Sequence, residues 1–592
     1  MKLSQSPCAL GGLALSAGSV LASNPASCKS LPGDPGWPSL EAWSSLNETV
    51  SGALIATVPQ AHVCHLQPYR ALNETVCNEL QENWNFAQTF RSVPNLIHLA
   101  CSDRAPAEIM NAYFQNQSCD PFTPVERPCE LGNYAVYSIS VSGPEDVIAG
   151  INFAKDNNVR LVVKNTGHDY AGKSTGKGSL SFWTHNLKSI EVVEEYSAPY
   201  YSGPAAIIGA GVTAGELLEH ITPMGYRAVG GTCASVGTAG GYAAGGGHSI
   251  LNGVHGMGAD NVLEWEMVTP SGEHIIVRPD NDYKDLYWAM TGGGAGVWGV
   301  VLSMTYKIHP DGRVGGARLS FNDSLVEPDL YWRAVEAWHS WIPAFTDGLD
   351  GGNTAEYTVS AHAFSAISLT FPGQNVEAVD ELMRTFLGQL EDLGIAYDYT
   401  SRSLPTFYDH FDADLGPLPY GPWPTNTVAS GRLISRSTVQ DEESNAALIA
   451  MFRNMTEYQD GKFFMGCEAM HVKETEHPKN AVLPAWREVA SFCIVHGYWD
   501  WEVPREEMLE HKNHLVDVII PAYEAVTTES GAYLNEIDPL YKGDWKKELY
   551  GENYDQLLGI KTAYDPDHLF YALFGVASDE WFQDGEGRLC RA

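Results

Sequence analysis

The chain has 592 residues, too many for one simple core, so two or more domains are expected. Its formal net charge of −37 and pI near 4.8 argue against nucleic acid or an anionic membrane surface as a partner. That acidity does not identify a substrate.

In chain order, Lys2, the apolar stretch Cys8 to Leu21 and the small residues Ala22 and Ser23 have the pattern of a secretory signal, so residues 1–23 are expected to be a leader. No later run is long and apolar enough to span a bilayer. Sequons at Asn47, Asn73, Asn116, Asn322 and Asn454 suit a secreted glycoprotein. Residues 24 to about 125 read as an irregular extension that includes Leu31-Pro32-Gly33-Asp34-Pro35-Gly36-Trp37-Pro38. Outside Cys8 and Cys233, nine cysteines remain: Cys28, Cys64, Cys77, Cys101, Cys119, Cys129, Cys467, Cys493 and Cys590. Most crowd the extension, where disulfides formed in an oxidising compartment would staple a loop-rich region. The odd count leaves one thiol over, connectivity is not readable from spacing, and the lack of a C-x-x-C pair argues against a zinc site.

Beyond the extension the pattern becomes regular. Tyr134 to Ser140 reads as a strand. Ser142-Gly143-Pro144-Glu145 reads as a capping box with proline early in the first turn, and Val147, Ile148, Ile151 and Ala154 keep helical spacing. The strand-like run Val159 to Val163 leads into a glycine loop, Lys164-Asn165-Thr166-Gly167-His168-Asp169-Tyr170-Ala171-Gly172. Ile207 to Val212 precedes a helix opened by a second capping box, Thr213 to Glu216. A second glycine loop follows: Gly230-Gly231-Thr232-Cys233-Ala234-Ser235-Val236-Gly237, then Thr238 to His248 with Gly240, Gly241, Gly245, Gly246 and Gly247. Glycine lets backbone approach a ligand closely, and successive N–H groups in such loops form concavities suited to a pyrophosphate. The G-x-G-x-x-G fingerprint of the doubly wound fold is missing; Thr291-Gly292-Gly293-Gly294-Ala295-Gly296 lacks its spacing. Amphipathic helices are predicted at Asn375 to Leu393 and Glu442 to Met455.

These motifs give a resemblance. The segment from about 129 to 310 resembles the PCMH-type FAD-binding domain of the vanillyl-alcohol oxidase family. Gly167-His168-Asp169-Tyr170 is similar to its histidyl-flavin loop, and Cys233-Ala234-Ser235-Val236-Gly237 to its cysteinyl-flavin loop. Asp285-Leu286-Tyr287-Trp288-Ala289-Met290, with the glycines after it and Gly299-Val300-Val301, resembles the end of that domain. Tyr533-Leu534-Asn535-Glu536-Ile537-Asp538, Tyr550-Gly551-Glu552-Asn553-Tyr554 and Lys561-Thr562-Ala563-Tyr564-Asp565-Pro566 resemble the closing segment of the berberine-bridge-enzyme-like branch. Within that branch the chain resembles fungal secreted oxidases of the isoamyl-alcohol-oxidase type.

The resemblance implies an α+β fold: an FAD domain at 126–311, a substrate domain at 312–530 with an antiparallel sheet backed by helices, and residues 531–592 returning to the FAD domain. It implies FAD attached twice, to His168 and to Cys233, and with that an open cleft for a bulky substrate. It places the cofactor against Lys164, Asn165, Thr166, Gly167, Asp169, Tyr170 and Ser174. From the second loop it adds Gly231, Thr232, Val236, Gly237, Gly240, Gly241, Tyr242, Gly246, Gly247 and His248, with Val300 and Asn535 from later segments. Tyr242 and His248 depart from the family's usual order of residue types. Val236 sits where a small side chain goes with reactivity toward oxygen.

Alcohol oxidation by a flavin needs a base for the hydroxyl proton. Where carbohydrate-oxidising relatives carry a tyrosine, this chain has Glu536, whose carboxylate does the same work if burial raises its pKa. Tyr533 would share a face with Asn535 on an extended strand, lining the cofactor rather than the substrate, and completes the catalytic expectation. His471, Tyr408 and Tyr420 are further candidates that no spacing singles out. Trp332, Trp338, Trp341, Trp423, Tyr498 and Trp499 read equally as sugar platforms or as core. The expected activity is oxidation of a hydroxyl in a small-molecule or oligosaccharide substrate, with molecular oxygen reduced to hydrogen peroxide by a secreted monomer. A flavin dehydrogenase, an oxidative-cyclisation enzyme and a catalytically silent binding protein are the alternatives.

Overall fold

The computed structural model describes residues 28–90, 107–421 and 423–592. The expected leader, with Cys8, and Cys101 lie outside the described residues.

Strands β1 (Leu54–Ala56), β2 (Tyr137–Ser140), β3 (Arg160–Lys164) and β4 (Ser179–Trp183) form one sheet in the order β1-β2-β4-β3. β4 pairs in parallel with both β2 and β3, and helix Pro144–Asp156 makes the crossover between those two strands. All five residues of β4 are buried, as a central parallel strand covered on both faces requires. The extension supplies β1, antiparallel at the sheet edge with Leu54 opposite Ile139. It also supplies helix Leu40–Thr49, whose Trp43 and Leu46 pack with Ile139, Ile151 and Phe182.

The two predicted helix starts differ. Thr213 and Glu216 form the full capping box. The box expected from Ser142 to Glu145 does not form. The helix begins at Pro144, so its third position is Asp146. That carboxylate accepts both the backbone N–H (2.8 Å) and the hydroxyl (2.7 Å) of Ser142.

A second, antiparallel sheet uses β5 (Ile190–Ala198), β6 (Tyr201–Gly209), β8 (Val262–Val268), β9 (His274–Val277) and β10 (Val300–Lys307), in the order β5-β6-β10-β8-β9. The short β7 (Tyr226–Arg227) pairs with β11 (His309–Pro310) beside it.

The third sheet has seven antiparallel strands: β12 (Val314–Asn322), β13 (Thr354–Val359), β14 (Ala363–Pro372), β15 (Tyr397–Leu404), β16 (Thr427–Ser435), β17 (Phe464–Ala469) and β18 (Val489–Tyr498). They lie in the order β15-β12-β14-β13-β17-β18-β16. Helices Pro328–Asp347, Val376–Asp392 and Glu442–Thr456 back it, and the last two fall where periodicity predicts them. Trp338, Tyr357, Phe364, Phe386 and Phe452 form part of the core between sheet and helices. Trp332, Trp341 and Trp499 belong to the same core and so serve as packing, not as sugar platforms.

After residue 531 the chain returns to the first half. Ala532, Leu534, Leu549 and Leu557 pack with Val229, Ala243, Leu251 and Leu286, and Phe570 bridges Leu161 of β3. Among the described residues there are four disulfides: Cys28–Cys590, Cys64–Cys77, Cys119–Cys129 and Cys467–Cys493. The first ties the start of the described chain to its end. Among the described residues, no helix is long and apolar enough to cross a membrane.

Candidate active site

A cavity of about 950 Å³ lies between the two glycine loops, the C-terminal turn and one face of the seven-stranded sheet. It is at the upper end of the range for small-molecule and cofactor sites, roughly 300–1,000 Å³.

The first loop follows β3 and is pinned by Asp169. Its carboxylate accepts the backbone N–H groups of Ala171 (3.1 Å) and Ser174 (2.6 Å) and the Ser174 hydroxyl (3.0 Å). Met110 of the extension donates its backbone N–H to the Gly167 carbonyl at 3.0 Å. His168 is thereby carried at the loop tip, into the cavity wall.

The second loop lies antiparallel along the start of helix Ala214–Ile221. Ala214 N–H donates to Val236 O (3.0 Å), Gly215 N–H to Ala234 O (2.9 Å) and Thr238 N–H to Val212 O (3.0 Å). Gly237 is required there, because a Cβ would overlap the Asn165 amide. The two loops meet at Ser235. Its hydroxyl lies 2.7 Å from His168 Nε2 and 3.4 Å from Cys233 Sγ.

Most of the expected cofactor residues line this one cavity: Asn165, Thr166, Gly167, His168, Asp169, Tyr170, Ser174, Gly231, Thr232, Cys233, Val236, Gly237, Gly240, Gly241, Tyr242, His248 and Asn535. Lys164, Gly246, Gly247 and Val300 do not. Lys164 is fully buried behind the first loop with its Nζ over Trp183, and Val300 packs into the core with Ile139 and Val268. Strand alternation explains Val300: its neighbours Gly299 and Val301 face the cavity instead.

Tyr533, Asn535 and Glu536 do not lie on the extended strand that their sequence suggests. Glu536 N–H closes a turn onto Tyr533 O at 3.0 Å. A strand would send residues 535 and 536 to opposite faces; the turn brings Tyr533, Asn535 and Glu536 all to the cavity. The Asn535 amide donates to Gly241 O (2.9 Å) and to the Tyr533 hydroxyl (2.7 Å), which clamps the turn to the second loop. A Cβ at Gly245 would collide with that amide.

His248 is held in place by its own loop, where Tyr242 donates its hydroxyl to the His248 carbonyl at 2.8 Å. The ring then joins two carboxylates. Nδ1 lies 2.5 Å from Glu468 Oε2, and Nε2 lies 3.2 Å from Glu536 Oε1. Burial opposes charge on this ring, but Glu536 and Glu468 outweigh it and hold the imidazolium well above the usual histidine range. Glu536 Oε2 is buried and has no hydrogen-bond partner.

Of the other sequence candidates, His471 pairs with Asp347 at 2.7 Å, and neither it, Tyr408 nor Tyr420 lines the cavity. Trp423 and Tyr498 do line it. Sequence reasoning missed Lys173, Glu356 and Glu468, all of which line the cavity. Lys173 donates to Leu534 O at 2.8 Å, and burial, partly offset by Asp169, lowers its pKa to about 8. Its place in the first loop was a usable signal. Glu356 and Glu468 sit in ordinary strands with no local motif.

The residues present fit FAD. Backbone reaches the cavity wall at glycines with positive φ, among them Gly167 (84°), Gly240 (127°), Gly294 (95°) and Gly299 (135°), and a histidine and a cysteine arrive together from separate loops. A glycine-lined cavity that faces an antiparallel sheet and receives a histidine and a cysteine from separate loops is the arrangement expected of an FAD-linked oxidoreductase. The comparisons agree. The "FAD binding domain" family profile matches residues 137–278, and the "Berberine and berberine like" profile matches 532–576. The chain is 47% identical over 567 residues to the "bifunctional decalin synthase calF" of Penicillium decumbens, covering 96% of each chain. It is 46% identical over 566 residues to the "VAO-type flavoprotein oxidase VAO615" of Thermothelomyces thermophilus, again covering 96% of each. The crystal structure of the VAO-type flavoprotein MtVAO615 from Myceliophthora thermophila C1 superposes with a TM-score of 0.89, covering 96% of this chain and 100% of that one. The chain belongs to the family of VAO-type, berberine-bridge-like FAD-linked oxidoreductases.

Proposed function

We propose that the protein is a secreted oxidase that carries FAD bound to both His168 and Cys233, removes two electrons and two protons from a hydroxyl-bearing carbon of a bulky substrate, and delivers them to oxygen as hydrogen peroxide. The observation that carries this reading is the arrangement of Glu536: the residue lines the cavity, one carboxylate oxygen lies 3.2 Å from His248 Nε2, and the other has no hydrogen-bond partner.

When bound, FAD supplies a two-electron acceptor that oxygen can re-oxidise. The protein's own part is positioning and proton transfer. The Glu536 carboxylate takes the substrate's hydroxyl proton as the carbon is oxidised, while His248 keeps that carboxylate in place and compensates its charge. Phe464, Phe492, Ile494 and Tyr498 of β17 and β18, with Trp423, offer an apolar bed for the substrate body. Four disulfides and exposed sequon residues Asn73, Asn322 and Asn454 support secretion.

The test is a peroxide-coupled screen over alcohols, oligosaccharides and hydroxylated secondary metabolites. Peroxide formed in step with a carbonyl product is expected. A second reading, oxidative ring formation, draws on the relative named a decalin synthase. It predicts a product with a new ring and no carbonyl gained at a hydroxyl carbon. A purified protein that is colourless would leave only a silent binding role.

A further inference from the structure

We propose that Glu356 is a neutral carboxylic acid that shares its proton with Glu468, and that this bond fixes the Glu468 carboxylate that holds His248 against Glu536. The inference rests on the reading of Glu536 as the base and extends it to two residues that the sequence motifs do not touch.

The argument begins with register. Glu356 of β13 and Glu468 of β17 are direct cross-strand partners in an antiparallel pair, so their side chains share a sheet face and both line the cavity. Like charges directly opposite each other are destabilising. Glu468 is only 2% exposed, and its Oε2 already accepts from His248 Nδ1 at 2.5 Å. The remaining oxygen, Oε1, is buried with no other partner, and the Glu356 carboxyl lies within hydrogen-bonding reach of Glu468. Glu536, His248, Glu468 and Glu356 thus form one chain of four groups.

Charge counting decides where the proton sits. If all three carboxylates were ionised, they would leave two uncompensated charges against one imidazolium. A proton on Glu356 removes one of these and supplies the O–H donor that Glu468 needs. No other neighbour compensates. Tyr533, Tyr242 and Tyr170 face the cluster as neutral phenols, their pKa values raised first by burial. His496 in the same wall is kept neutral because burial lowers its pKa to about 4. Lys173 answers to Asp169. Burial, followed by the charge of Glu468, pushes the Glu356 carboxyl well above the usual range, against the opposing pull of His248.

Glu356 is therefore a positioning residue acting through Glu468 and His248, and it holds its proton to higher pH than an ordinary carboxyl does. Infrared difference spectroscopy of the FAD-loaded enzyme, titrated from acid to alkaline pH, reads that proton without any substrate. The expected result is a protonated-carboxyl C=O band that persists at neutral pH, bleaches on alkalinisation, is absent in E356Q and is displaced in E468Q. Wild type lacking the band at neutral pH, or a band that survives E356Q, overturns the proposal. With the best alcohol from the peroxide screen, flavin reduction in wild type should fall on the alkaline side, and E356Q should lack that fall. Superimposable limbs in the two proteins overturn the link to Glu536. If the Glu356 band behaves as expected but E536Q does not slow flavin reduction, the failure belongs to the base assignment alone. Flavin content and thermal midpoint of both variants separate these outcomes from misfolding.

Discussion

His168 Nε2 lies 2.7 Å from the hydroxyl of Ser235, a residue of the other glycine loop and two positions from Cys233. A single serine therefore contacts both side chains that the family motifs assign to the flavin. Because the loops come from separate parts of the chain, their meeting is a property of the fold and not of either motif.

The proposed attachment at both residues makes a direct prediction. Acid-precipitated, unfolded protein should remain yellow, and H168A or C233A alone should retain flavin through the other bond. Free FAD in the supernatant of denatured wild type would refute double attachment.

For Glu536, the Gln variant keeps the shape and the His248 contact and removes the proton acceptor. Stopped-flow flavin reduction by a good substrate should slow by about 10²–10⁴-fold at unchanged flavin content. A loss confined to KM would mean that Glu536 binds substrate without taking its proton.

Val236 lines the cavity beside Gly237 and is only partly buried. V236L should slow re-oxidation of the reduced enzyme by air far more than it slows reduction. Equal slowing of both half-reactions would indicate distortion of the loop in place of a blocked oxygen path.

Glu108 gives a prediction about stability. Burial raises its carboxyl to about 7, outweighing the Gln60 backbone N–H bond and the charge of Lys164. Because its folded pKa lies above the unfolded value near 4.5, the folded state holds the extra proton between these two values. The stabilisation is fully present below about pH 4.5 and is lost as pH rises through about 7, at up to about 1.4 kcal/mol per pH unit. E108Q should flatten that decline in denaturant midpoints, and an unchanged slope would place the titration elsewhere.

Legibility in the sequence followed distance along the chain. The helices near 375–393 and 442–456 were readable because 3.6-residue periodicity and caps are local. The capping box at Ser142 failed by one residue, because proline sets where the first turn starts. The segment Tyr533 to Glu536 forms a turn and not the expected strand: its conformation is set by Asn535 reaching Gly241 and by Gly431 donating its N–H to Glu536 O at 3.0 Å.

The sequence alone determined the glycine loops with His168 and Cys233 at their tips, which are carried by short runs whose backbone chemistry is local. Glu536 became the base candidate through the resemblance of its segment to the berberine-bridge-like branch. Only the tertiary structure decided what Glu536 works with. Its chain of partners runs through His248, 288 residues away, to Glu468, a further long step of 220 residues from His248. Glu356 joins them only because β13 and β17 pair in one register. A slip of one residue would turn either glutamate to the helix-covered face, and nothing in a strand's own residue sequence fixes its register against a partner more than a hundred residues away.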